Sequence, residues 1–253
     1  MSDPGRLNER AAPRASRAAL WHVDDGWALF AGPLHHNDSH AHSAAVHLAG
    51  LYGTFRLRIA GSGWLSCRSA VVRAGTPYEF DVGGEPLGVF YLEPHLAGAD
   101  ALAPLVAGAD EYGGALVSGA DASWLRAAYE RRSDIGASVG DVLDFAKRQA
   151  RHRIDARIAR AVSAMAQTTD AASVTIAARA AGLSASRFQH LFTREVGVPF
   201  RRYRVWQRLR AAIGEAAGGA TLTQAAHAAG FADQAHFSRA FRQTFGAPPS
   251  RGL

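Results

Sequence analysis

Hydrophobic and polar positions follow two periods along this chain. Between Trp21 and about Leu96 the apolar residues come in short runs, Ala44–Leu48, Thr54–Ile59, Ser69–Val72 and Gly88–Leu92, separated by Gly, Pro, Asp and Asn. In Thr54–Ile59 the alternation is clean: Phe55, Leu57 and Ile59 share one face, Arg56 and Arg58 the other. That period of two is the mark of a half-buried antiparallel strand. Many short strands with such turns predict a small barrel or jelly roll. From about Ala97 the period lengthens. Ala122–Arg132 and Val139–Arg148 read as amphipathic helices, the second with Val139, Val142, Leu143 and Ala146 on one stripe. Arg148–Arg153 is a plausible boundary, and everything after Asp155 reads as helix and short turn. The expected organisation is a mobile basic arm at 1–20, a β-rich domain at 21–150 and a helical domain at 151–253.

The helical part contains a repeat. Ala180-Ala181-Gly182-Leu183 recurs as Ala228-Ala229-Gly230-Phe231, 48 residues on. Phe188, Phe192, Val196, Gly197 and Pro199 recur as Phe237, Phe241, Phe245, Gly246 and Pro248, 49 residues on. The one-residue change falls in the turn, where insertion is cheapest. Each copy has the logic of two helices joined by a tight turn. In the first, Thr175–Ala181 forms a short helix, and Gly182 supplies the positive φ that turns the chain. Ser184 caps the next helix, and Phe188, Leu191 and Phe192 point into a core. The second copy repeats this with Ala226, Gly230, Asp233 as cap, and Phe237, Ala240 and Phe241. Between the copies, Pro199–Ala217 predicts a helix with Tyr203, Trp206, Leu209 and Ile213 on one stripe. Arg201, Arg202, Arg204, Arg208 and Arg210 lie mostly off that stripe, and Gly218-Gly219 ends the helix. At ~1.5 Å per residue it spans roughly 28 Å, near the ~34 Å of one turn of B-DNA.

Charge sharpens this picture. Residues 1–150 hold 13 basic and 17 acidic side chains, a balance of −4, whereas residues 151–253 hold 15 and 5, a balance of +10. An acidic module is joined to one suited to a polyanion. One cysteine, Cys67, leaves no intramolecular disulfide framework or multi-cysteine zinc module, as in a reducing compartment. No apolar run approaches ~18 residues, and the Arg-, Ala- and Pro-rich start is unlike a secretory signal. The expectation is a cytoplasmic protein with no membrane partner.

Gly230-Phe231-Ala232-Asp233-Gln234-Ala235-His236-Phe237-Ser238-Arg239-Ala240-Phe241-Arg242, followed by Phe245-Gly246-Ala247-Pro248-Pro249, resembles the C-terminal signature of AraC/XylS-type transcription regulators. The resemblance covers about Asp155–Leu253. It departs at the end, where Ser250-Arg251-Gly252-Leu253 stands in place of the Tyr-Arg pair often found there. It implies an α+β protein: an N-terminal β-rich, cupin-like (degenerate jelly-roll) domain with helices, then an all-α domain of two helix-turn-helix units joined by a linker helix. It implies a sequence-specific, non-enzymatic DNA-binding regulator whose N-terminal domain senses a small effector. Base readers carried over by position are Ser186, Arg187, Gln189 and His190 in the first unit. In the second they are Gln234, His236, Ser238 and Arg239, with Ala235 able to offer only a methyl contact. Arg194, Arg201, Arg202 and Arg242 are assigned to phosphates, which position without specifying. For each of these residues a solvated helix face is the competing reading. The implied partners are double-stranded DNA, a small-molecule effector, a second copy of the chain and RNA polymerase. No cofactor, catalytic residue or metal is assigned.

Five of the 11 histidines, His35, His36, His40, His42 and His47, crowd one stretch. His40 and His42 resemble the His-x-His of cupin metal sites, where alternate strand residues share a face. The second cupin motif wants a histidine where Tyr78 stands, and His47 stands near the place of the acidic ligand. A sensor pocket involving His40, His42 and Tyr78, in a barrel lined by Phe55, Leu57, Ile59, Phe80 and Phe90, is therefore expected. A metal-binding cupin enzyme with a DNA-binding appendage is the alternative, and a surface histidine loop is the plainest reading. Trp124, Leu125 and Tyr129 suit either a dimer interface or core packing.

Overall fold

The computed structural model describes residues 18–132, 134–150, 153–166 and 173–253. Most of the expected arm at 1–20, and Arg151 and His152 within the expected boundary, lie outside the described residues. Among the described residues eleven strands come first: β1 Leu20–Asp24, β2 Trp27–Pro33, β3 His36–His40, β4 Ala45–Gly50, β5 Phe55–Ile59, β6 Leu65–Cys67, β7 Ser69–Val72, β8 Tyr78–Asp81 and β9 Pro86–Leu92, then β10 Asp110–Tyr112 and β11 Ala115–Ser118. The short helix α1 (Pro94–Ala97) interrupts them. Eight α-helices follow among the described residues: α2 Ser123–Arg131, α3 Ile135–Gln149, α4 Ala156–Ala166, α5 Val174–Ala180, α6 Ala185–Val196, α7 Phe200–Ala217, α8 Leu222–Ala228 and α9 Gln234–Phe245.

The strands pair antiparallel in two sheets, one ordered β1-β2-β9-β4-β7-β11-β10 and the other β3-β8-β5-β6. Side-chain parity then sorts the core. Leu87, Val89 and Tyr91 of β9 join Val46, Leu48, Phe55, Leu57, Ile59, Tyr78 and Phe80 between the sheets. Their odd-even neighbours Phe90 and Leu92 face the other way, packing with Leu125, Tyr129, Ile135 and Val139 of the two helices behind the larger sheet. Four of the five expected barrel-lining residues do line it. Phe90 does not, because it is one residue out of phase with Val89 and Tyr91.

Two further expectations change. The helical texture expected from Ala97 is interrupted by the β10–β11 hairpin, whose two-residue Gly113-Gly114 turn is a recognised hairpin signal. Leu125 and Tyr129 are fully buried within the chain, so core packing explains them. Trp124 stacks edge-on to Phe90 at 5.3 Å between centroids. No helix among the described residues is long and apolar enough to cross a membrane.

Candidate nucleic-acid interface

Both tight turns form as the sequence dictates. Gly182 and Gly230 take φ of 67° and 75°. Ser184 caps α6 by accepting from Arg187 N at 3.3 Å, and Asp233 caps α9 by accepting from His236 N at 2.6 Å. The second unit is also nailed at its first helix, where Thr221 and Gln224 form a reciprocal capping box. Phe188, Leu191 and Phe192 are buried on α6, as are Phe237, Ala240 and Phe241 on α9.

The opposite faces stay open. Ser186, Arg187, Gln189 and His190 are exposed on α6. On α9 Gln234, Ala235, His236 and Arg239 are exposed and Ser238 is half-buried. Gln234 already accepts from Thr223 Oγ1 at 2.8 Å, and the His236 ring meets Phe231 edge-on at 5.3 Å. The two units hang on α7, 18 residues long, or about 27 Å. Its stripe of Tyr203, Trp206, Leu209 and Ile213 is fully buried.

The four arginines assigned to phosphates divide. Arg194 is exposed beside Glu195, at 3.0 Å, and Arg201 is exposed. Arg202 donates to Ala41 O at 2.7 Å, and Arg242 pairs with Asp38 at 3.6 Å. Those two guanidiniums therefore reach the β-rich part of the chain.

A seam that sequence reasoning missed explains why. Glu93, at the end of β9, is fully buried and receives Tyr203 Oη, Trp206 Nε1 at 2.9 Å and Arg210 Nη1 at 3.1 Å, all from α7. His95 Nδ1 lies 3.3 Å from the same carboxylate. Burial by itself would raise the Glu93 pKa, yet His95, Arg210 and Tyr203 hold it below its ordinary value. The available signal was a lone Glu closing the apolar run Leu87–Leu92, and Tyr203, Trp206 and Arg210 at helical spacing.

The seam continues along the second unit. Asp38 N donates to Gly246 O at 2.9 Å, Asn37 Nδ2 to Phe245 O at 2.6 Å, and Trp21 Nε1 to Gly252 O at 2.6 Å. Gly246, φ 70°, closes α9, and a Cβ there would lie 2.2 Å from Asp38 O. Its repeat partner Gly197, φ 84°, closes α6, where a Cβ would meet Ala74 O at 3.2 Å. One continuous apolar core runs through the seam, from β-strand residues to Phe188 and Phe237.

His40, His42 and Tyr78 are brought together at this seam. Their ring centroids are 4.9 Å apart for His40–His42 and 4.5 Å for His40–Tyr78, and His42 also meets Trp206 and Phe245. Burial lowers the His40 pKa to about 4 and that of His42 well below its ordinary value, and raises Tyr78. All three are neutral near pH 7. His42 Nδ1 and Tyr78 Oη are buried without a hydrogen-bond partner. His47 points to the other side of the sheet, toward Ser69 Oγ at 2.8 Å and Trp124, so it is not part of this cluster. Only His40 of the three reaches the wall of the cavity beside them. That cavity, about 40 Å³, lies among Trp21, Phe30, Tyr91, Phe241, Phe245 and Arg251.

Comparison with known proteins places these observations. Residues 177–252 match the family model described as a helix-turn-helix domain. No curated protein matches the sequence. Among solved structures, apo ToxT of Vibrio cholerae is similar over 90% of this chain and 97% of its own, with 11% identity and a TM-score of 0.60. ToxT of the same organism bound to an unsaturated fatty acid covers 90% and 95%, at 13% identity and TM-score 0.56. A ToxT complex with (E)-4-(8-methylnaphthalen-1-yl)but-3-enoic acid covers 89% and 97%, at 14% identity and TM-score 0.58. At these identities the likeness establishes the fold alone: an α+β chain with a β-rich half followed by a helical half that contains the helix-turn-helix domain.

Proposed function

We propose that this protein is a non-enzymatic, sequence-specific DNA-binding transcription regulator that reads two successive major grooves and whose β-rich half senses a small effector. The observation that carries the DNA reading is the duplication: two capped helices, α6 and α9, expose Arg, Gln and His in two units joined by α7, a rod about 27 Å long. Arg suits guanine and Gln adenine in the major groove. Ser186, Arg187, Gln189 and His190, with Gln234, His236, Ser238 and Arg239, are the proposed readers. Arg194 and Arg201 are the proposed phosphate contacts, joined by Arg202 and Arg242 when they leave Ala41 O and Asp38. The readout is local to one face of the duplex, so half-turn phasing tests it. Footprinting with the full chain should show two short protected blocks about one helical turn apart. Inserting about half a turn of DNA between them should abolish tight binding; unchanged affinity would mean that a single unit engages.

For the effector, the ligands named in the ToxT structures are acids with apolar bodies, and one cavity of this chain suits that chemistry. The cavity between barrel and C-terminal end has aromatic walls and Arg251 at its edge. At about 40 Å³ it is far below the ~300 Å³ and upward of a ligand pocket, so an acid with an apolar body must displace the second unit to enter. Binding to only one of two arrangements is what shifts their balance. His40 is the proposed contact on the wall, with His42 and Tyr78 stacked behind it.

A further inference from the structure

The first helix-turn-helix unit has a second cationic wall, supplied by α4, which precedes the matched segment. Arg157 of α4 lines one cleft of about 760 Å³ together with Ser184, Ser186, Arg187, His190 and Arg194 from the start and exposed side of α6. The two arginines at its edges are both held by carboxylates. Arg157 Nε and Nη2 grip the two oxygens of Asp155 at 3.0 and 2.7 Å. Arg194 Nε and Nη2 both donate to Glu195 Oε1 at 3.0 Å. The two pairs are linked in turn, since the Asp155 backbone N–H donates to Glu195 Oε2 at 3.0 Å. A carboxylate held by a guanidinium fork presents the same acceptor geometry as a phosphate.

We propose that this cleft is a clamp for the DNA sugar-phosphate backbone, in which Arg157 and Arg194 take phosphates flanking the groove read by α6 and Asp155 and Glu195 are internal counter-anions that DNA must displace. The proposal rests on the DNA-binding reading above and extends it to a residue outside the matched domain. Arg157 holds the Asp155 carboxyl down to about 2, so the counter-anion is charged throughout the neutral range. Together the three arginines and two carboxylates carry a net +1 where the arginines alone would carry +3. The clamp belongs to the first unit alone: 49 residues on, the repeat has Gln243 in place of Arg194 and Thr244 in place of Glu195. The first unit thus holds the backbone, with a built-in brake on adhesion to arbitrary DNA.

The test is equilibrium binding of the full chain to two duplexes, one carrying its tightest genomic site and one unrelated, across a salt series. Arg157→Ala should weaken both duplexes by a similar, severalfold factor and reduce the salt slope by about 0.9, the share of one phosphate. Asp155 Oδ1 also accepts from Arg157 N at 2.9 Å at the start of α4; Asp155→Asn keeps that cap, because Asn caps as well as Asp, and removes the charge. It should tighten both duplexes severalfold at an unchanged thermal midpoint, and it decides the matter if the Arg157 variant does not fold. An unchanged slope in Arg157→Ala, a loss confined to one duplex, or weaker binding by Asp155→Asn would each overturn the clamp. Wild-type protein that binds neither duplex at low salt would instead bring down the DNA-binding reading itself.

Discussion

Truncation of Glu93 is the sharpest perturbation of the joint between the two halves. Its carboxylate is fully buried and its removal strands three donors of α7 at once. Losing one member of a buried ion pair costs about 3–5 kcal/mol. Arg210 retains Asp24 O at 3.1 Å and a weak approach to Asp25 at 3.8 Å, which favours the lower end of that range. Tyr203 Oη and Trp206 Nε1 each then lose an acceptor in a dry site, adding about 1 kcal/mol apiece. Glu93→Ala should therefore destabilise by about 5 kcal/mol, a large part of the ~5–15 kcal/mol that a folded domain has. Glu93→Gln keeps one carbonyl acceptor but turns an amide N–H₂ toward the donors, and should cost about 1.5–3 kcal/mol. The assay is urea unfolding, followed by tryptophan fluorescence and by far-ultraviolet circular dichroism. A cycle with Arg210→Ala should return a coupling above ~1 kcal/mol, because residues in one network do not add. A loss below ~1 kcal/mol in Glu93→Ala, with no coupling to Arg210, would refute the argument. The sign with pH follows from the lowered pKa. The Glu93 contribution is full above its ordinary value of 4.5 and is lost as pH falls through the depressed one.

Two further outcomes are expected. His40, His42 and His47 are buried and neutral, with folded pKa values lowered (about 4 for His40 and His47), so the unfolded chain binds their protons first and stability falls as pH drops from 6.5 toward 4. In thermal melts across that window His47→Gln should flatten the pH dependence; an identical slope would show that His47 is not held neutral. Arg239→Ala should cost about 1–3 kcal/mol of affinity and relax preference at one base position, whereas Arg201→Ala should weaken all sequences alike. A selection experiment on randomised duplexes separates them, and an unaltered preference in Arg239→Ala would remove it from the readers.

The helix-turn-helix units were legible because local rules agree there. Gly182 and Gly230 turn the chain, Ser184 and Asp233 cap, and the phenylalanines repeat at helical spacing, so no distant partner is needed to see them. The alternation in Phe55–Ile59 was legible for the same reason. Phe90 was misplaced because β9 is buried on both faces, which erases the alternation that would have told inward from outward. The β10–β11 hairpin is so short that its Gly-Gly turn was its main signal. Glu93 was invisible as a hub because its partners lie 110 to 117 residues away, and only folding brings them together. The histidine stretch read as one group, yet strand parity splits it: His47 faces the helices, His40 and His42 the seam.

The two glycines that close α6 and α9 occupy the same place in the repeat, and both abut the β-rich half, at Ala74 and at Asp38. The β-rich half therefore works as a gauge block set across both α6 and α9. Their separation is referred to its surface as well as to the length of α7. The C-terminal walls of the small cavity, Phe241, Phe245, Ala247, Pro248, Arg251 and Gly252, all come from the second unit. If the two helices read DNA as proposed, a molecule wedged there would tilt α9 while α6 kept its seat, detuning the pair from the pitch of the duplex. Such a signal would be written in phase, as a changed preference for the spacing between two half-sites, before it appeared as any loss of grip on either one.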